Sequence, residues 1–325
     1  MTRALIRRLL VVAGRLPRFV PIGDRDPQQR IRVTLDGLGA PIDVTRNHVV
    51  ASLRPLTIAL ALPATLGPET FGRRELRLKF SPQSDPDTML GDVGLRHEGT
   101  ITVDHTAFQL FRRKDQTDLR MPWGAATVFA FHHAWSEWTR RHRSTFRMEP
   151  LDLKAFQVLY VCPRPVVLVT VRHGQTSNLF PMDLIGPTDS PYFLMALRNT
   201  SLSVRQMTAS RRMALADVPL EDTAIAYQLG EYHQRECIDW SALPFESEPS
   251  PAHGLPVPSA ALRVRDVEVR EARVVGSHTL FITEVIHEER RKDGLQMFHV
   301  SGPYYRYLVR HGIQPPRAVW RSGIS

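Results

Sequence analysis

The sequence predicts a mainly β protein with some helix, of the α+β kind. Three observations carry that expectation: short apolar runs that alternate with polar residues, turn residues closing those runs, and only a few stretches with helical spacing. The 325 residues are 42% hydrophobic and 23% charged, which argues for a packed core rather than disorder. That length allows one large domain or two modest ones.

The first 22 residues place Arg3, Arg7, Arg8, Arg15 and Arg18 around Leu5, Ile6, Leu9, Leu10 and Val11, the pattern of a short basic amphipathic helix before Pro17. A single short segment binds membranes weakly, so this helix is expected to dock on its own domain. From Arg30 to about Leu110 the runs are strand-like. Ile31 to Leu35 precedes Asp36-Gly37, Leu56 to Leu60 is a second run, and Thr100 to Val103 follows a Pro- and Asp-rich loop at Ser81 to Asp92. Between Trp123 and Arg143 the apolar positions Trp123, Val128, Phe131, Trp135 and Trp138 recur at near-helical spacing and predict an amphipathic helix. His133 and Glu137 stand at i and i+4 there, but no third ligand has recognisable spacing, so no metal site is expected.

Pro150 to Val158 reads as a connection. Beyond it, Val166 to Val171 is a buried strand, Arg172 to Thr176 a turn and Asn178 to Ile185 a second strand, together a hairpin. Pro191 introduces the run Tyr192 to Leu197, which ends on Arg198-Asn199-Thr200-Ser201 before a helical Ser203 to Arg212. A strand finishing in hydroxyls and an arginine at a helix start brings backbone N–H groups and side-chain donors together, as a phosphate requires. Serine and threonine cap most helices without a ligand, so both readings stay open at this point. Asp222 to Arg235 is read as helical and Phe245 to Pro258 as a loop. Leu262 to Val269 and Leu280 to His287 are strands, the second entered through Gly276-Ser277-His278-Thr279.

The formal charge of +9 comes from 42 Lys and Arg against 33 Asp and Glu, so anionic ligands suit the chain. Arginine richness also follows from a GC-rich genome, and no nucleic-acid motif accompanies it; no nucleic-acid partner is expected. Cys162 and Cys237 lack metal-ligand or disulfide spacing, and no run reaches the ~18 apolar residues that cross a bilayer. A cytoplasmic protein without stable membrane insertion is the expectation. GxSxG, HExxH, paired-carboxylate and P-loop patterns are all missing, which sets hydrolase readings aside.

The order of these pieces resembles the flavin reductase-like family over about residues 151–325. Pro163 to Thr170, the turn into Asn178, the run Pro191 to Leu197 with Arg198 to Ser201, and Gly276-Ser277-His278-Thr279 carry the likeness. The last is similar to the family's Gly-Asp-His-Thr segment, with Ser277 in place of the acid. The resemblance implies a Greek-key antiparallel split β-barrel, an FMN-binding fold that dimerises and holds FMN or FAD near the subunit interface, with NAD(P)H delivering hydride. It also implies a phosphate seat at Arg198, Thr200 and Ser201, a polar-edge contact at Ser177 and Asn178, and cofactor contacts at Asn199 and His278. His299 is the candidate for the nicotinamide pocket. For both histidines, a hydrogen-bonded structural role is the alternative. No catalytic residue is nominated, because hydride transfer needs orientation more than proton abstraction.

The expected organisation is a basic segment at 1–29, a β-rich domain of unknown function at 30–150 ending in the aromatic helix, and the flavin reductase-like barrel at 151–325. The leading function is an NAD(P)H-dependent flavin reductase or FMN-containing reductase acting on an unknown acceptor. A non-catalytic cofactor-binding barrel is the alternative, since fold does not fix activity. Pro55 lies 18 residues after Gly37, and Pro191 lies 17 after Gly174. The N-terminal region is therefore either an unrelated set of strand-turn-strand units or a degenerate second barrel that completes the site within one chain.

Overall fold

The computed structural model describes residues 19–26, 30–63, 65–72, 74–119, 148–230, 232–313 and 315–317. The basic helix expected before Pro17 and the aromatic helix of Trp123 to Arg143, with His133 and Glu137, lie outside the described residues.

Strand β1 (Phe19–Asp24) precedes a first sheet made of β2 (Ile31–Asp36), β3 (Ile42–Asp43), β4 (His48–Leu53), β5 (Leu56–Leu62), β6 (Leu76–Pro82), β7 (Gly91–Val103) and β8 (Thr106–Leu119). After the short β9 (Arg164–Pro165), a second sheet takes β10 (Val167–His173), β11 (Thr176–Met182), β12 (Ile185–Pro187), β13 (Tyr192–Arg198) and β14 (Arg212–Asp217). A small hairpin, β15 (Ser247–Pro249) with β16 (Pro256–Pro258), interrupts it before β17 (Arg263–Val275) and β18 (His278–Arg290) complete it. Finally β19 (Gln296–Ser301) pairs with both β1 and β9.

Both large sheets have seven strands, with order β3-β2-β6-β7-β8-β5-β4 in the first and β11-β10-β14-β17-β18-β13-β12 in the second. Counted from the first strand of each, both run 2-1-5-6-7-4-3. All pairings are antiparallel, and each sheet curls into a half-barrel, the split-barrel architecture expected of the C-terminal half.

Alternation explains how the second sheet buries both faces. Val167, Val169 and Val171 of β10, with Phe193, Met195 and Leu197 of β13 and Phe281 of β18, point into the barrel. The residues between them on β13 and β18, Tyr192, Leu194, Ala196, Leu280 and Ile282, pack instead on Val49, Ala51, Ala59, Ile101, Val103 and Phe108 of the first sheet. Strand β13 reads as an unbroken apolar run because neither face meets water.

Reciprocal contacts close this interface. The β4–β5 connection meets the β17–β18 turn: the Ser277 amide donates to the Arg54 carbonyl at 2.9 Å and to Ser52 Oγ at 3.2 Å. Conversely, the start of β13 meets the β7–β8 turn, where the Tyr192 hydroxyl donates to Asp104 Oδ2 at 2.6 Å and the ring packs edge-on against Phe108. Gly276 enables the first contact. Its φ is +53°, and a Cβ there would lie 2.5 Å from the Arg54 carbonyl oxygen.

Several local expectations change. Pro150 to Val158, expected as a connection, is the helix Pro150–Leu159, with Pro150 in its first turn and Asp152 paired with Arg113 of β8 at 2.5 Å. The run Asn178 to Ile185 is two strands on opposite edges of the sheet, because Asp183 and Leu184 leave β11 before β12 starts. Helix between Asp222 and Arg235 is limited to Thr223–Gln228 with single 3-10 turns beside it, and the Phe245 to Pro258 loop contains the β15–β16 hairpin. No helix among the described residues is long and apolar enough to cross a membrane.

Truncating Leu194 to Ala at the sheet–sheet interface should lower the unfolding free energy by about 2–5 kcal/mol. Gly276→Ala should be comparably damaging, because it combines an unfavourable φ with a backbone collision. Urea denaturation followed by circular dichroism measures both.

Candidate functional site

A cleft of about 300 Å³ opens where β11 leaves the second barrel, beside the far end of β13. Pro181, Met182, Asp183 and Leu184 form one side, and Ala196, Leu197 and Arg198 the other, with His278 at the end of the β17–β18 hairpin. The first sheet contributes Leu53. Aromatic walls come from outside both sheets: Phe19 on β1, and Phe156 and Tyr160 at the end of the helix Pro150–Leu159. These rings stack against one another, with Phe19 4.4 Å from Tyr160 and 5.6 Å edge-on from Phe156 between centroids.

Two polar groups of different charge face this cleft. Asp183 keeps 28% of its side chain exposed and accepts hydrogen bonds from the Tyr160 hydroxyl at 3.0 Å and from His299 Nδ1 at 2.8 Å. Burial pushes its carboxyl up, yet those hydrogen bonds and the buried Arg164 charge outweigh the cost and hold it below the usual carboxylate range. Behind it, His299 Nε2 lies 2.7 Å from the Tyr227 hydroxyl, so a Tyr–His–Asp chain leads from the half-buried Tyr227 to the cleft wall. Burial, with the Asp183 charge, pushes the Tyr227 phenol up and keeps it protonated.

His278 is 1% exposed. Burial, aided by the Arg198 guanidinium opposite it in the sheet, lowers its pKa to about 4. Its Nδ1 receives the Leu53 amide at 3.4 Å and the Ser277 hydroxyl at 2.9 Å. Since a backbone N–H can only donate, Nδ1 is the acceptor and the single ring proton sits on Nε2. The ring is thus a neutral donor whose tautomer is set partly by the first sheet.

The structure separates the residues that sequence reasoning grouped. Arg198 and His278 line the cleft. Asn178 is fully buried behind it, where Nδ2 donates to Ser203 Oγ and to the Tyr232 and Arg235 carbonyls, tying that loop to the helix Leu202–Ser210. Ser201 serves the same loop by donating to the His233 carbonyl at 2.7 Å. Ser177 accepts from the Trp240 indole at 2.7 Å, and Asn199 bridges the Gly276 carbonyl and the Thr279 hydroxyl. Thr200 is exposed just beyond Arg198. His299 meets the cleft's lining through Asp183 and Phe19. The sequence reading passed over Asp183 itself, Tyr160 and Leu53. Asp183 is the sole acid between β11 and β12, a placement that in retrospect marks it, but its partners are distant in sequence.

The family model of the flavin reductase like domain matches residues 159–307, which contain the cleft's own strands and His278. Residues 159–307 are thus similar to a flavin reductase like domain. Among solved structures, the chain is similar to the FMN-binding protein from Thermus thermophilus with bound p-hydroxybenzaldehyde (19% identity, 56% of this chain and 98% of that one, TM-score 0.41). It is also similar to an NADH:FAD oxidoreductase of Streptomyces globisporus C-1027 (18%, 49% and 95%, TM-score 0.42). A third is the styrene monooxygenase flavin reductase of Pseudomonas putida S12 (15%, 44% and 90%, TM-score 0.37). No curated protein matches the chain. No cluster of three metal-ligating side chains occurs among the described residues.

The tautomer of His278 gives a direct check. Its ring ¹⁵N resonances should report a neutral Nε2–H form from pH 8 down to about 5. Its folded pKa lies below the unfolded value, so the unfolded chain takes up more protons between about pH 6.5 and 4. Its contribution to stability is therefore complete above that window and lost as pH falls through it. His48, also held below its usual value by burial, acts in the same direction.

Proposed function

We propose that the cleft binds an FMN-type flavin and that the protein is an NAD(P)H-dependent flavin reductase or an FMN-containing reductase. The observation that carries the reading is that the strands and the β17–β18 turn bordering this cleft belong to the segment similar to a flavin reductase like domain, with apolar and aromatic walls and a guanidinium at the rim. The donor set fits a flavin. Leu53, Met182 and Leu197 offer surface to a flat aromatic ring system, Arg198 and the exposed Thr200 suit a phosphate, and His278 presents a neutral N–H to a carbonyl edge.

A bound flavin supplies the two-electron chemistry, accepting hydride from the pyridine nucleotide and passing it on. The chain's own work is to bind and orient. Arg198 offsets the ligand's anionic charge. Neutral His278 donates without placing a second full charge beside Arg198. Asp183, ionised and fixed by Tyr160 and His299, accepts from an N–H at the opposite wall and fixes which edge faces it. The aromatic wall keeps water off the bound ring. Ser177, Asn178, Asn199 and Ser201 are assigned supporting roles: they hold the loops and strand ends from which these groups project.

Arg198→Ala should weaken FMN binding about ten- to a hundredfold, the worth of ~1.5–3 kcal/mol for a charged hydrogen bond. Riboflavin, which lacks the phosphate, should bind wild type and variant alike. Visible absorbance during titration measures both. Anaerobic NADH and NADPH should then bleach the bound flavin, and flavin uptake without bleaching by either would favour a non-catalytic binder.

A further inference from the structure

The two sheets share more than their strand order. Each opens on a hairpin whose turn holds a glycine at positive φ, Gly37 and Gly174. Each joins its sixth and seventh strands through a two-residue turn whose first residue also has positive φ, Asp104 and Gly276, flanked by the terminal pairs Val103↔Thr106 and Val275↔His278. Their packing is reciprocal: each half inserts the region entering its fourth strand against the other's sixth-to-seventh turn, as Ser277 on Arg54 and Tyr192 on Asp104. Self-complementary contact of one patch with its own counterpart is the signature of a two-fold dimer. Here both patches belong to one chain.

The halves differ where ligand chemistry would sit. In the second sheet, Leu197 pairs with Thr279 and Arg198 with His278. In the first, the pairing ends one step earlier at Leu62↔Ala107, so Pro63 and Thr106 occupy the positions of the guanidinium and the imidazole. The helix between the fourth and fifth strands of the first sheet, Pro68–Phe71, is also less than half the length of its counterpart Leu202–Ser210.

We infer that the chain is a fused dimer with one working cleft: the N-terminal sheet fills the place of a second copy of the C-terminal sheet, has lost its own ligand groups, and serves the remaining site by positioning His278 through Ser52 and Leu53. Ser52 acts as a positioning residue, since its hydroxyl receives the Ser277 amide and thereby fixes the turn that delivers Ser277 Oγ and the ring to each other. The homodimer implied by the family resemblance is then unnecessary, because its partner face is already occupied.

The ligand count in this inference rests on the flavin reading; the mass does not. Light scattering on the full-length protein at about 50 µM should give the mass of one chain, 36.9 kDa, and fluorescence titration should saturate at one FMN per chain. Ser52→Ala should weaken FMN binding about two- to tenfold, the worth of one neutral hydrogen bond, and should move the His278 Nδ1 resonance. Tyr192→Phe, which removes the reciprocal bond at the other end of the interface, should leave affinity and that resonance unchanged. A two-chain mass, two FMN per chain, or equal weakening by Tyr192→Phe would overturn the inference. If wild type takes up no FMN, the flavin reading fails, while the mass and the His278 resonance in the two variants still decide whether the first sheet stands in for a subunit and positions the ring.

Discussion

The structure depends on strands that must be covered on both faces. Strand β13 sends Phe193, Met195 and Leu197 into its own barrel and Tyr192, Leu194 and Ala196 toward the other sheet, and β18 repeats the division with Phe281 against Leu280 and Ile282. Burying a single Leu or Ile side chain contributes about 1.5–3 kcal/mol. Leu194, Leu280 and Ile282 together therefore represent on the order of 5 kcal/mol or more, as much as the whole net stability of many domains. Neither half can present that face to water without losing a large share of its stability, so the two sheets are parts of one folding unit even though each has its own interior.

That constraint also builds the site. The apolar interface brings the Ser52–Arg54 backbone within hydrogen-bond distance of the Gly276–Ser277 turn, and His278 follows directly from that turn. Because the ring is buried beside a guanidinium, protonation is unfavourable, and because its Nδ1 faces a backbone amide, only one neutral tautomer fits. On the opposite wall the same degree of enclosure has the reverse outcome. Asp183 stays ionised because Tyr160, His299 and the Arg164 charge supply what water would otherwise supply. Burial alone does not dictate charge in this cleft; the donors that accompany it do.

Much of the fold was legible because alternation and turn chemistry are local. The ends of β2, β13 and β18 follow from Asp36-Gly37, Pro191 and Gly276-Ser277, and the closely similar spacings of Gly37–Pro55 and Gly174–Pro191, 18 and 17 residues, accompany two sheets with one strand order. The helix at Pro150–Leu159 was hidden because its apolar residues surround it: Leu153, Phe156, Val158 and Leu159 are all buried, so no polar face marks a helical period. The site was legible by residue type and not by role. Asparagine, serine and threonine at a strand end serve a ligand or a neighbouring loop equally well, and only position shows that Asn178 and Ser201 hold the 232–235 carbonyls while Arg198 lines the cleft. Asp183, Tyr160 and Leu53 were out of reach, since each acquires meaning from a partner on another element.

The asymmetry between the halves follows from the cost of buried polarity. A histidine and an arginine at a strand end lower stability through desolvation, as the depressed His278 pKa records, and are retained only where something offsets the cost. In the first sheet the same positions hold Thr106 and Pro63, which carry no such cost, while its packing residues Val49, Ala51, Ala59 and Phe108 are kept fully buried. The first sheet thus has what the interface needs and lacks the charged pair that lines the cleft. A fold with two equivalent halves can diverge in this way without losing stability, because the interface that both halves require is made by the faces of the strands, and the polar groups of the cleft sit at their ends.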